Sequence, residues 1–283
     1  MNPMKIAVTG ATGHLGTLVV EELKKRVPLH NLVALARTPA KAAQFGIEVR
    51  AFDYNKTDEL EEALTGIDRL LLISGNEIGE RTMQHLHVIE AAVKAGVNWI
   101  IYTSLLHADD STLNIVAEHA ATEVAIKCSS IDYTILRNGW YTENYTASIK
   151  GAVAGGAFIG SAGNGKISSA ARADFAEAAA VVITDERHKG NTYELAGDEF
   201  YTLNDLAAEI SRQTGKNIPY RNLSESDYAN ALEHMGVPGP FAAALASWDV
   251  SASKGDLFDD SRQLSTLIGR PTTPLSASVT EAL

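Results

Sequence analysis

The chain has 283 residues, long enough to bury a large core without staples, and hydrophobic residues at 45% against charged residues at 21% exclude a disordered protein. Lys and Arg total 24 against 35 Asp and Glu, a formal charge of −11, which argues against nucleic acid as a partner because phosphate-backbone binding needs a basic face. The lone Cys128 cannot form an intramolecular disulfide and suits a reducing cytoplasm.

The opening MNPMKIAVTG lacks the apolar region of a signal peptide, and no run of about 18 apolar residues suggests a membrane span. No Cys/His cluster has metal-ligand spacing, so no metal is expected. From there the first half alternates short apolar runs with amphipathic stretches. Strands are predicted over Lys5–Thr9, Leu32–Ala36, Glu48–Phe52, Arg69–Ile73, Trp99–Thr103 and Tyr133–Arg137, most of them apolar on both faces as in a covered parallel sheet. Helices are predicted over Leu15–Arg26, Thr57–Leu64, Thr82–Ala95 and Ile115–Ser129. Strand and helix in alternation imply βαβ units and a doubly wound α/β sheet.

Beyond Tyr141 the texture changes. Gly151–Gly165 holds six glycines and reads as a loop or loose hairpin, and as a candidate hinge or lid. A helix over Ala173–Thr184 is expected to pack back on the sheet. A strand over Thr192–Leu195, a helix over Thr202–Thr214, a strand over Asn217–Arg221 and helices over Ser224–Met235 and Phe241–Ser251 complete a small α/β lobe. Thr202 and Ser224 are N-cap candidates, with Asp205 and Asp227 in the first turns. The expected organisation is a nucleotide-binding domain over 1–150 with 166–190 packing back on it, a glycine-rich connection over 151–165, and a substrate-side lobe over 191–283.

The strongest local signal is Thr9-Gly10-Ala11-Thr12-Gly13-His14-Leu15-Gly16, between the first strand and the first helix. Its G-x-x-G-x-x-G spacing supplies one glycine for a tight turn, one for backbone approach to pyrophosphate and one for packing helix against strand, while the helix N-terminus offers N–H groups to the anion. Gly10, Ala11, Thr12, Gly13, His14 and Leu15 are therefore candidate dinucleotide contacts in a Rossmann-type domain. The second strand ends at Ala36-Arg37-Thr38-Pro39-Ala40-Lys41, where a partner for a free ribose 2′-hydroxyl would be Asp or Glu. Arg37 can instead pair with a 2′-phosphate, with Lys41 as a second positive charge, so NADPH is expected ahead of NADH. Asp53-Tyr54, after the third strand, is placed to face the adenine. Ser74 and Gly75, after the fourth, together with Thr103, are expected on the ribose side.

Carbonyl-reducing short-chain dehydrogenases use a Tyr-x-x-x-Lys pair. After the fifth strand the chain reads YTSLLHAD, and Tyr133, Tyr141 and Tyr145 are followed four residues on by Arg137, Tyr145 and Ile149. Without that relay, the fitting acceptor is a flat conjugated molecule such as a quinone or a cationic dye, whose reduction needs little protein acid. Asn138, Trp140, Tyr141, Asn144 and Tyr145, at the exit of the sixth strand, are candidates to hold it, with Asn138 also within reach of the cofactor and Tyr141 at the reacting centre. His119 and Glu123 share a helix face. A surface His–Glu pair and a His119 that faces the nicotinamide ribose as a catalytic group are both open readings.

The phosphate loop, Arg37, YTSLLHAD (102–109), Glu118–Glu123, RNGWYTENY (137–145), KISSAARAD (166–174), YELAG (193–197) and SKGDLFDDS (253–261) together resemble the NmrA-like group of atypical short-chain dehydrogenases/reductases over essentially the whole length. Within it the resemblance is to the bacterial quinone-reductase branch, and more loosely to triphenylmethane reductase. It implies a Rossmann domain with a small C-terminal α/β lobe, NADPH and a quinone acceptor, no flavin, and Arg172 as a further cofactor or lobe contact. The isoflavone-reductase branch has a catalytic Lys where this chain has His119, so its acid–base mechanism does not carry over. An NADP(H)-binding redox sensor without turnover, and a reductase of another flat acceptor such as a triphenylmethane dye, remain alternatives.

Overall fold

The computed structural model of the protein describes residues 4–283; the first residues of the sequence reading, 1–3, lie outside them. The six expected strands form as β1 (Ile6–Val8), β2 (Leu32–Ala36), β3 (Glu48–Ala51), β4 (Arg69–Leu72), β5 (Trp99–Leu105) and β6 (Asp132–Asn138). They interleave with α1 (His14–Lys24), α2 (Thr57–Leu64), α3 (Arg81–Ala95) and α4 (Val116–Cys128). The chain continues through α5 (Glu143–Thr146), α6 (Ile149–Gly155), β7 (Phe158–Gly160), α7 (Arg172–Thr184) and β8 (Thr192–Leu195). It closes with α8 (Leu203–Thr214), β9 (Tyr220–Asn222), α9 (Glu225–His234), α10 (Gly239–Ser253), α11 (Gln263–Ile268) and α12 (Leu275–Ala282).

Seven strands make one sheet in the order β3-β2-β1-β4-β5-β6-β8, and the pairings from β3 through β6 are parallel. This is the doubly wound order, with the direction of winding reversed between β1 and β4, where such sheets bind ligands at the strands' carboxyl ends. β1, β2, β4 and β5 are buried at every position and their sequences are mostly apolar on both faces, with Arg69, Thr103 and Ser104 the buried polar exceptions, whereas the edge strand β3 is partly exposed. Leu60 and Leu64 of α2 and Val88 and Ala92 of α3 join Leu35, Leu72 and Tyr102 in one core cluster. α7 packs on α1 and against β4 and β5.

The chain divides into two compact units. The first comprises Met1–Ala108, Ala117–Asn138 and Arg172–Tyr193; the second comprises Asp109–Val116, Gly139–Ala171 and Glu194–Leu283. The division therefore falls at Asn138, where β6 ends, not near residue 150. In the second unit β7 and β9 pair in parallel and α9 packs on α10. Thr202 caps α8 in a reciprocal capping box with Asp205, and Ser224 caps α9 by accepting from the Asp227 N–H.

Gly151–Gly165 corrects the sequence reading. It is neither a loop nor a loose hairpin: it contains the end of α6 and all of β7. Two of its six glycines, Gly160 and Gly165, are required by close packing. A Cβ on Gly160 would lie 2.7 Å from Asp249 Oδ2, and one on Gly165 would lie 2.3 Å from the Ala252 carbonyl oxygen. The strand expected over 217–221 forms over 220–222. α5 and α11, of 4 and 6 residues, are too short to show in periodicity, and α12, of 8, is not among the helices expected from the sequence.

Candidate active site

The turn from β1 into α1 gives each of its three glycines a distinct task. Gly10 takes the left-handed conformation at φ +57°, and the Gly13 N–H donates back to its carbonyl at 2.9 Å. A Cβ on Gly16 would sit 2.2 Å from the Gly10 oxygen and 2.8 Å from Ala11 Cα, so the third glycine packs α1 onto the loop's own backbone instead of onto a strand. Gly13 is the exposed N-cap of α1, which has neither a side-chain cap nor an acidic residue in its first turn. Its leading N–H groups and positive dipole end are thus suited to an anion. Gly13 and His14 are exposed and Thr12 is half-buried, while the side chains of Ala11 and Leu15 point into the core and only their backbone serves the loop. Beneath the loop the Ile73 N–H donates to Thr9 Oγ1 at 2.9 Å. The Tyr54 hydroxyl meets Thr9 Oγ1 at 2.6 Å and the Ile73 carbonyl at 3.0 Å, so Tyr54 supports the loop from within and does not face out toward an adenine.

Arg37 leaves the end of β2 with its side chain 65% exposed, and its guanidinium donates to Glu77 Oε1 at 2.8 Å. Lys41 is exposed a turn further on. Asp53 closes a local turn, accepting from the Asn55 N–H at 3.1 Å. The Ser74 N–H donates to Thr103 Oγ1 at 2.9 Å, so the buried Thr103 holds the loop after β4. Gly75 donates its N–H to His85 Nε2 at 2.9 Å, which puts the proton of a neutral His85 on Nδ1, 3.0 Å from Thr122 Oγ1. Arg81 Nε donates to the Gly75 carbonyl at 2.7 Å, and its guanidinium pairs with Glu118 at 3.0 Å; Glu118 also accepts from the Gly79 N–H at 3.0 Å. Burial first, then the Arg81 charge, lowers the His85 pKa to about 3.

The reading of His119 and Glu123 as a surface pair needs correcting. His119 is buried at 4% exposure, and its Nδ1 lies 2.8 Å from the Tyr102 hydroxyl, so it forms no surface pair with Glu123. Burial, helped by Arg81 and His85, lowers its pKa to about 3, which leaves it neutral and unsuited to shuttle protons near neutral pH. Glu123 is taken instead by Arg137, whose Nε and Nη2 donate to its two oxygens at 2.9 Å each, and by Ser104 Oγ at 2.6 Å. Burial alone would raise the Glu123 pKa; the Arg137 and Ser104 hydrogen bonds outweigh it and hold the carboxyl below its usual range. A bidentate guanidinium arriving from β6 wins Glu123 over the imidazole on its own helix.

Asn138 ends β6, buried. In the second unit, Trp140 and Tyr141 are half-buried and Asn144 is exposed on α5. The Ala170 N–H donates to the Trp140 carbonyl at 3.1 Å, and the Thr142 N–H to the Ala170 carbonyl at 2.9 Å, which fixes the backbone on either side of Tyr141. Tyr145 differs from the sequence expectation of an acceptor contact: it is buried at 7% exposure and donates its hydroxyl to Asp249 Oδ1 at 3.1 Å. Arg172 begins α7 in the first unit, half-buried.

A family profile described as NAD(P)H-binding matches residues 10–186. Over 277 residues, 97% of this chain and 97% of the other, the sequence is 56% identical to quinone oxidoreductase 2 of Escherichia coli strain K12. The chain belongs to the NmrA-like NAD(P)H-binding family. Among solved structures, the Escherichia coli NADPH-dependent quinone oxidoreductase complexed with NADPH superposes with a TM-score of 0.95 at 55% identity, covering 98% of this chain and 99% of that one. The triphenylmethane reductase of Citrobacter sp. superposes with a TM-score of 0.95 at 38% identity, covering 99% of each.

The residues present fit the pyrophosphate of a nicotinamide dinucleotide: Gly13 is exposed, a side chain at Gly16 would break the turn, and α1 carries no competing cap. The supporting residues Glu77, Arg81, His85 and Glu118 were not singled out in the sequence for this role. Their partners lie 40, 6, 10 and 37 residues away, at separations no helix or strand period signals.

Proposed function

We propose that this chain is an NADPH-dependent quinone reductase. The observation that carries the reading is the 56% identity to quinone oxidoreductase 2 over 97% of both chains. We further propose that it works without a flavin: bound NADPH supplies a hydride, and a solvent proton completes the two-electron reduction of the quinone to the hydroquinone. The chain's contribution is then to bind and orient. The backbone of Gly10–Leu15 takes the pyrophosphate, and Arg37, assisted by Lys41, takes the 2′-phosphate. Asp53 and the loop at Ser74 and Gly75, held by Thr103, take the adenosine and ribose side, with Asn138 and Arg172 as further cofactor contacts. Trp140, Tyr141 and Asn144 hold the acceptor. No proton step is assigned to His119, whose burial argues against one. Tyr145 is a support for this segment. A cytoplasmic setting is consistent with a single, exposed, unpaired cysteine.

The similarity to the triphenylmethane reductase supports a second acceptor class, since a flat apolar pocket discriminates weakly among flat molecules. The test is NADPH oxidation by the purified protein at 340 nm, with simple quinones and triphenylmethane dyes in parallel and NADH as the control. Rapid quinone-dependent oxidation without added flavin, NADPH preferred, is expected. Turnover on dyes alone would move the acceptor, and tight NADPH binding without turnover on either would replace the enzyme with a sensor.

A further inference from the structure

Arg37 is not waiting in solvent for a ligand. Its guanidinium is engaged by Glu77, 40 residues away, at 2.8 Å, and the carboxylate is aimed there by a second fixed contact. Glu77 Oε2 accepts from Gln84 Nε2 at 2.7 Å, and Gln84 is itself buried at 4% exposure on α3. The loop that carries Glu77 is pinned on both sides of it, by Arg81 on the Gly75 carbonyl and by Glu118 on the Gly79 N–H. The hydrogen bonds from Gln84 and then Arg37 also hold the Glu77 carboxyl below its usual range, so it is ionised at neutral pH.

We propose that Glu77 is a specificity-setting gate on the NADPH site, a carboxylate that competes with the cofactor's 2′-phosphate for Arg37. The inference rests on Arg37 as the 2′-phosphate partner. A guanidinium has five N–H donors, so a phosphate can still reach Arg37 while Glu77 stays in place, but it then sits beside a fixed negative charge. Nucleotides without the 2′-phosphate meet no such repulsion. The preference for NADPH over NADH is therefore the difference between the attraction of Arg37 and the repulsion of Glu77, a specificity held back by a like-charge contact. Glu77 acts through Arg37 and is a positioning residue.

The experiment measures the affinities of NADPH, NADH and 2′-AMP for the full-length protein and for Glu77→Gln, Arg37→Ala and the double variant. Glu77→Gln keeps the shape of a side chain that is 40% exposed and its contact with Arg37 as a neutral acceptor, so the fold is retained. An exposed ion pair shifts an equilibrium by up to about fivefold, and relief of like-charge repulsion adds to it. Glu77→Gln should tighten NADPH and 2′-AMP by about three- to tenfold, leave NADH within about twofold, and give a smaller gain once Arg37 is alanine, because the competition for Arg37 is then gone and only the direct repulsion remains to be relieved. NADPH affinity that is unchanged or weaker in Glu77→Gln, or an equal gain for NADH, overturns the gate. Arg37→Ala that retains the NADPH preference overturns the underlying Arg37 reading as well; loss of preference in Arg37→Ala with a neutral Glu77→Gln removes the gate alone.

Discussion

The Tyr102 hydroxyl lies 2.8 Å from His119 Nδ1 with both side chains buried, so the histidine that the sequence offers as a catalytic group is a core residue hydrogen-bonded to a core tyrosine. With its pKa lowered to about 3, His119 stays neutral through the working pH range. The pH profile of kcat for quinone reduction should therefore show no limb between pH 5.5 and 8.5 that disappears in His119→Gln, and the variant should keep kcat within about threefold. Loss of such a limb on substitution would restore His119 as a titrating group.

The same burial gives the fold an acid-side weakness. His85 and His119 protonate near pH 6.5 in an unfolded chain but only near 3 in the folded one. Between those values the unfolded chain binds more protons, so stability falls as pH drops below about 6.5, by at most about 1.4 kcal/mol per pH unit for each histidine. Urea unfolding at pH 7.5 and 5.0 should show this loss, and His119→Gln should lose less across the interval. Equal losses for the variant and the parent would mean that His119 is protonated in the fold.

Asp249 tilts its unit the opposite way. Burial raises its pKa to about 6 against the ordinary 3.8, although the Ser161 N–H at 2.8 Å and the Tyr145 hydroxyl at 3.1 Å both donate to it. The folded state binds the extra proton between those values, so this carboxyl's contribution is present at low pH and is lost as pH rises through about 6. The total loss is roughly 3 kcal/mol by pH 7. Asp249→Asn loses hydrogen bonds at every pH but not this proton. Its stability relative to the parent should improve by up to about that amount from pH 4 to pH 7. A difference that is constant with pH would show an ordinary carboxyl.

The phosphate loop ranks its glycines. A methyl group at Gly16 collides with the Gly10 oxygen and Ala11 Cα, both backbone, whereas one at Gly10 meets nothing closer than 3.8 Å and suffers only from φ +57°. Gly10→Ala should cost about 1 kcal/mol of stability and retain NADPH binding. Gly16→Ala must displace the loop and should weaken NADPH at least tenfold, with a larger fall in Tm. Equal effects on NADPH affinity would show that the loop tolerates the displacement.

Much of this architecture was legible because it is local. Apolar runs marked each strand of the first half, Thr57–Leu64 and Thr192–Leu195 form over the residues expected, and Thr202 and Ser224 cap their helices as their chemistry suggests. The misreadings all concern tertiary choice. Spacing placed His119 and Glu123 on one helix face but could not say that Arg137, on a strand, offers Glu123 a bidentate partner. Six glycines in fifteen residues suggested flexibility, but Gly160 and Gly165 are small because Asp249 and Ala252 pack against them. Glu77 carried no local signal, because its meeting with Arg37 requires the sheet to be assembled first.

Tyr141 and Tyr145 lie four residues apart, the first in a bridge to Ala170 and the second on α5, and the structure separates their tasks. Tyr145 is buried and bonded to Asp249, while Tyr141 is half-buried, with its backbone fixed by the hydrogen bonds that flank it at Ala170. Tyr141→Ala should cut quinone turnover by about tenfold or more, through KM or kcat, while NADPH affinity stays within a few fold. Tyr145→Phe leaves a buried carboxyl one donor short and should cost about 1–2 kcal/mol of stability, with KM for the quinone nearly unchanged. Steady-state kinetics and thermal unfolding of the two variants side by side decide the matter. If Tyr145→Phe raises KM as much as Tyr141→Ala does, the acceptor reaches deeper into this segment than proposed. If Tyr141→Ala leaves turnover intact, the acceptor is held elsewhere.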